Sequence, residues 1–139
     1  MIMRNDRDSR IINNLFRLAQ DIEPVKSSRL AACLILKNSV LGYGFSQMKS
    51  HPFQAEFAKN PDAIFLHAET DAIKNALKRV SQDDLSKATL YIARAKKDHR
   101  TRKWIYGMAK PCIGCARAIA TFDISNVVYT LDGEDYKYM

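Results

Sequence analysis

The chain has 139 residues, 47% of them apolar, with 22 Lys or Arg against 15 Asp or Glu and a formal net charge of +7. That length suits one domain with one hydrophobic core, and that apolar share is ordinary for a globular chain. No apolar run is long enough to cross a bilayer, and residues 1–10 are too polar for a secretory signal, so a cytoplasmic protein is expected. Three cysteines, two of them in one short motif, argue against a disulfide framework and for a metal in a reducing compartment. The positive balance suits an anionic partner, a nucleotide phosphate or a nucleic acid; it equally suits a solvated basic surface.

In chain order, residues 4–23 read as a helix, because Ile11, Ile12, Leu15, Phe16, Leu18, Ala19 and Ile22 recur at spacings of three and four, and Pro24 ends it. Residues 30–37 form a nearly continuous apolar run that suits a buried strand, and Cys33 inside it reads as a small buried hydrophobe. After a turn at Asn38-Ser39, residues 40–45 return as a strand in which Gly42 and Gly44 allow close approach of a neighbour or a ligand. Residues 46–61 form a long polar connection, read as a substrate-facing loop, and its His51 reads as a surface residue rather than a ligand. Residues 62–80 form a helix buried along Ile73, Ala76, Leu77 and Val80, and residues 88–93 a strand. Residues 94–110 read as a long basic connection. Between residues 96 and 103 it holds five Lys or Arg, and Trp104 and Tyr106 follow. Cations beside aromatics suit a single-stranded nucleic-acid track, but also a charged loop whose aromatics fold back on the core. A helix then starts near Pro111, residues 126–131 form a strand, and Asp132-Gly133 signals a hairpin into an antiparallel edge strand.

Two stretches carry the chemistry: Leu66-His67-Ala68-Glu69 and Pro111-Cys112-Ile113-Gly114-Cys115. Two Cys at i and i+3 opening a helix can bind one tetrahedral metal, and a His from a second helix completes three ligands. Three protein ligands leave the fourth zinc position open, as in a catalytic site. Side chains at i and i+2 do not face each other on a regular helix, so His67 is expected at the helix start, where it and Glu69 can converge. The competing reading is a structural zinc site with His51 or His99 as fourth ligand, which leaves Glu69 and Pro111 unexplained.

His-x-Glu followed by Pro-Cys-x-x-Cys resembles the zinc-dependent cytidine/deoxycytidylate deaminase superfamily. The resemblance spans roughly residues 30–131. It implies a three-layer α/β fold, with a central mixed sheet of about five strands and helices on both faces. It implies one Zn2+ per chain on His67, Cys112 and Cys115, with Glu69 carrying protons between the activated water, the ring nitrogen and the departing ammonia. A His as first ligand looks like the deoxycytidylate and nucleic-acid branches; the C-terminal hairpin looks like the free-nucleoside branch. Relatives often hold the sugar with an Asn after the second strand, where this chain has Ser46-Gln47. Candidate substrate contacts are therefore Ser46, Gln47, Ala68 and Pro111, with Arg100 and Trp104 from the basic stretch. That stretch is surplus to the superfamily and suits a phosphate clamp, a nucleic-acid track or an oligomer contact.

Three functions follow. The first is hydrolysis of a cytosine nucleotide or nucleoside to the uracil form. The second is editing of cytosine or adenine within RNA or single-stranded DNA, and the third is a non-catalytic zinc-stabilised binding module. A homo-oligomer without a membrane partner is expected.

Overall fold

The aliphatic run in the first third of the chain becomes strand β1 (Arg29–Leu36), and the rest of the sheet grows from it. The computed structural model describes residues 6–22, 29–47, 67–133 and 135–139. β1 pairs antiparallel with β2 (Ser39–Phe45) on one side and β3 (Thr89–Lys97) on the other. β5 (Asn126–Thr130) runs parallel to the first half of β3, and β6 (Tyr136–Tyr138) returns antiparallel to β5. The order is β2-β1-β3-β5-β6, with β4 (Trp104–Gly107) added antiparallel to the second half of β3. Gly133 takes the positive φ of 104° that the turn before β6 requires. Four helices are described: α1 (Asp6–Gln20), α2 (Ala68–Leu77), α3 (Gln82–Ser86) and α4 (Ile113–Thr121). Among the described residues, no helix is long and apolar enough to cross a membrane.

Strand periodicity divides the core in two. Ala31, Cys33, Tyr91, Ala93 and Val128 face α1 and bury its Ile12, Leu15 and Ala19. Ala32, Leu34, Leu90, Ile92, Val127 and Tyr129 face the other way, onto Ala68, Ala72, Ile73 and Ala76 of α2 and Ala118 and Ile119 of α4. This is the expected helix–sheet–helix architecture. Burial pushes the Cys33 thiol up to about 12, so it packs as a hydrophobe.

Three local readings change. Residues 94–110 are not an open connection, since β3 runs on to Lys97 and β4 pairs back along it, Arg94 opposite Gly107 and Lys97 opposite Trp104. The strand signal there is the alternation of Trp104 and Tyr106 with Ile105 and Gly107, which the surrounding charges obscure. The described part of the helix expected over 62–80 is Ala68–Leu77, with Lys78 as C-cap. α3 has no counterpart in the sequence reading, although Ser81 and Asp84 form a capping box at its start. Residues 48–66, with His51, lie outside the described residues.

α1 is fastened to the sheet by polar bonds as well as its apolar stripe. Asp8, buried, accepts hydrogen bonds from Tyr91 Oη (2.5 Å) and Tyr138 Oη (2.6 Å). Burial first, then the bond to Asp8, raises both phenols above their ordinary value of 10.0. Folded tyrosines that hold protons longer than unfolded ones stabilise fully below the unfolded value, and that contribution is lost as pH rises past it. Denaturant midpoints should therefore begin to fall above about pH 10. Asp8→Ala, measured at neutral pH, should cost about 1–3 kcal/mol by leaving buried hydroxyls unpaired.

α2 is fastened by contact of main chain on main chain. A Cβ on Gly44 would stand 2.1 Å from the Ala68 carbonyl oxygen and 2.3 Å from the Ala72 nitrogen, and one on Gly42 2.7 Å from the Ala76 nitrogen. Gly44→Ala must lift the start of α2 off the sheet. It should cost about 3 kcal/mol or more in denaturant titration, whereas alanine at exposed Lys78 should cost almost nothing.

Candidate active site

His67 is the N-cap of α2 and Cys112 the N-cap of α4, both with extended backbone, and neither side chain caps its own helix. The two helix starts point at each other instead. His67 Nδ1 lies 3.2 Å from Cys115 Sγ and 3.5 Å from Cys112 Sγ. The three donor atoms all lie within 4.8 Å of one another, with Cys115 buried, His67 half-buried and Cys112 exposed. Among the described residues, they are the group of His, Cys, Asp or Glu side chains that could hold a metal ion.

One ring nitrogen and two sulfurs fit zinc. Donors about 2.0–2.3 Å from one tetrahedral ion sit roughly 3.5–3.8 Å apart, and the His67–cysteine separations of 3.2 and 3.5 Å are close to that. The charge pattern agrees. The bond from the Cys115 thiol, helped by His67, holds Cys112 down at about 3, as a thiolate. Cys115 is pushed well up, first by that same bond and then by burial, so the pair shares one proton. The His67 imidazole is raised, first by its bond to Cys112.

Glu69 sits in the first turn of α2 and is almost wholly buried, at 3% exposure. Burial raises its pKa, against a lowering by His67, and Cys115 is a hydrogen-bond partner. The extended backbone of His67 resolves the spacing problem. Its side chain leaves the chain before the helix begins, so two residues at i and i+2 reach one region.

The other candidates separate. Pro111 is buried beside Cys112 and Ala68 beside His67, so both flank the cluster. Ser46 is taken up by the sheet: its Oγ accepts from the Leu30 amide at 3.2 Å. Gln47 donates through Nε2 to Asp71 at 3.1 Å and lines a cavity of about 590 Å³ with Asp71, Lys74 and Arg79. Arg100 lies in the exposed β3–β4 turn. Trp104 packs on the α1 side of the sheet, between Arg29 (5.0 Å) and Lys97 (5.1 Å), and the structure does not bring it to the cysteines. His99 lies in the same turn as Arg100 and outside the donor group.

Sequence reading missed two supporting residues. Buried Asp71 accepts from the Phe45 amide at 3.0 Å and from Gln47, and pairs with Lys74 at 3.2 Å. Thr70 Oγ1 donates to the His67 carbonyl at 3.1 Å and steadies the backbone that carries the imidazole. An acid two residues after Glu69, in a helix that must pack on a sheet, was the available signal.

Fold and donor set together define an α/β protein with a His/Cys/Cys group that could hold a metal ion. A family model for the cytidine and deoxycytidylate deaminase zinc-binding region matches residues 5–131, and the chain belongs to that family. Solved structures share the fold. The dCMP deaminase of the cyanophage S-TIM5, in apo form, superposes with a TM-score of 0.61 at 18% identity, covering 93% of this chain and 86% of that one. The same enzyme in complex with dCMP and dUMP gives 0.58 at 16% identity, covering 92% and 83%. Cytidine deaminase from Burkholderia pseudomallei gives 0.55 at 14% identity, covering 91% and 90%. No curated protein sequence matches the chain.

Because Cys115 must give up its proton to a metal, uptake should release protons and apparent zinc affinity should rise with pH. Competition with a chelator at about pH 6 and pH 8 checks this. Cys115→Ala should lower affinity by more than the ~10–100-fold typical of residues behind the ligands.

Proposed function

We propose that the chain hydrolyses the exocyclic amine of a cytosine nucleotide or nucleoside, giving the uracil form and ammonia. One zinc per chain is held by His67, Cys112 and Cys115. The observation that carries this reading is Glu69, a buried carboxyl with raised pKa on the same helix turn as the His of a two-thiol donor set. A zinc ion in that set supplies a water acidic enough to attack at neutral pH. Glu69 would take one proton from that water and give it to the ring nitrogen, then take the second from the hydroxyl formed at the attacked carbon and give it to the departing amine, as the carbon–nitrogen bond breaks and the carbonyl forms. A carboxyl raised by burial exchanges protons in both directions more readily than an exposed one. Ala68 and Pro111 wall the approach to the cluster. The dCMP and dUMP found in the phage relative favour a mononucleotide as substrate.

Exposed Arg100, Arg102 and Lys103 in the β3–β4 turn support a second reading, in which the cytosine or adenine lies within RNA or single-stranded DNA. A polymer substrate would show affinity falling steeply with salt, at a logarithmic slope near −0.7 per contacted phosphate.

Ammonia release should be measured on zinc-loaded protein offered dCMP, CMP, deoxycytidine, cytidine, single-stranded DNA and RNA. Turnover of the mononucleotides is expected, and none on any cytosine substrate would sink the proposal. Glu69→Ala should lose activity by about 10²–10⁴-fold or more while keeping its zinc and its melting temperature. Loss of zinc in that variant would overturn the division of roles.

A further inference from the structure

Register fixes which residues lie just outside the two helix starts. Gly44, Ala32 and Ile92 are neighbours across β2, β1 and β3, and Gly44 lies directly beneath Ala68 of α2. Gly42 lies beneath Ala76, so moving from Gly42 through Gly44 leads toward His67. The next row on the same face is Ser46, Leu30 and Arg94. Ser46 bonds Leu30 through both main chain (3.1 Å) and side chain (3.2 Å), and Leu30 pairs with Arg94. Arg94 therefore projects from the central strand on the face of His67, Cys112 and Cys115, about 6.6 Å further along β3 than Ile92. Gly107 stands opposite it on β4, where a Cβ would meet the Arg94 stem at 2.8 Å. The chain then runs directly from Gly107 to Cys112.

Arg94 Nε is buried and, among the described residues, has no hydrogen-bond partner. Asp132, a carboxylate near enough to feel its charge, is already bonded by Lys96 Nζ at 2.8 Å and the Met108 amide at 3.1 Å. A guanidinium with an unmade buried bond is costly to keep unless an acceptor arrives. Arg94 lies two residues beyond Ile92, where the parallel pairing of β3 with β5 ends. The planar fork of arginine matches the oxygens of a phosphate.

We propose that Arg94 anchors the phosphate of a mononucleotide whose base lies at the His67/Cys112/Cys115/Glu69 centre, and so sets preference for nucleotide over nucleoside. This rests on the deaminase reading of that centre. Cations in the β3–β4 turn are exposed and stand at the hairpin tip, whereas Arg94 stands on the sheet face that α2 and α4 cover.

The test uses zinc-loaded protein and binding of dUMP and deoxyuridine by calorimetry, with wild type, Arg94→Gln and Arg94→Lys, each checked for folding by thermal melting. Wild type should bind dUMP at least about tenfold tighter than deoxyuridine. Arg94→Gln should abolish that ratio, and Arg94→Lys, which keeps the charge without the fork, should retain part of it. If Arg94→Gln does not fold, the Arg94→Lys ratio decides. The ratio of kcat/KM for dCMP over deoxycytidine should fall in step, through KM. Equal losses on nucleotide and nucleoside, or an unchanged ratio, would overturn the proposal. So would an oligonucleotide held tighter than dUMP in an Arg94-dependent way. Arg94-dependent dUMP binding without any turnover would reject the deaminase reading alone; turnover without nucleotide preference would reject the phosphate anchor alone.

Discussion

The seat of α2 on β2 is the contact on which the rest of the structure depends. A helix whose main chain touches the main chain of a strand needs glycine on one side and small residues on the other, and Gly42 and Gly44 face Ala68, Ala72 and Ala76. Main-chain contact leaves little freedom in the height of the helix over the sheet. That height decides where His67 and Glu69 stand relative to α4. A second stripe at the same spacing of four locks the pair from the side. Asp71 takes the Phe45 amide, Asn75 donates to the Tyr43 carbonyl at 2.8 Å and Arg79 to the Val40 carbonyl at 3.3 Å. β2 is an edge strand, so these bonds also satisfy groups that would otherwise pair with another chain.

With α2 fixed, two helix starts meet. Helix N-termini carry partial positive charge, which favours the thiolate of Cys112. Within the same few ångströms, burial raises Glu69, and the bond to Cys112 followed by burial raises Cys115. Two thiols of the same chemistry are thus driven apart, first by the proton they share and then by the deeper burial of Cys115. The opposite face of the sheet contributes none of these groups. α1, Asp8 and the tyrosines support the frame, and Trp104 and Tyr106 belong with them, Tyr106 meeting Phe16 edge to face at 4.7 Å.

Much of this was legible in the sequence because it is local. The apolar spacing of α1, the aliphatic run of β1, the Asp132-Gly133 turn and the grouping of His67 with Cys112 and Cys115 depend on residue type and separation along the chain. The position of His67 at a helix start also followed locally, from the mismatch between an i, i+2 spacing and a helical turn. β4 was hidden because four residues flanked by charge carry too short an alternation to stand out.

Sequence alone determined which side chains are chemically able to act and which segments carry them, since those depend on nearest neighbours. Tertiary structure decided which face of the sheet each one meets. Trp104 goes to the α1 side because the register of β4 on β3 puts it opposite Lys97, and no local rule sets that register. Ser46 and Gln47 are claimed by Leu30 and Asp71, partners 16 and 24 residues away. Arg94 comes to the face of His67 and the two cysteines, with Nε unpaired among the described residues, only because three strands from distant parts of the chain fall into a common row. Facing and pairing across a sheet are long-range properties, and they arise only when the strands assemble.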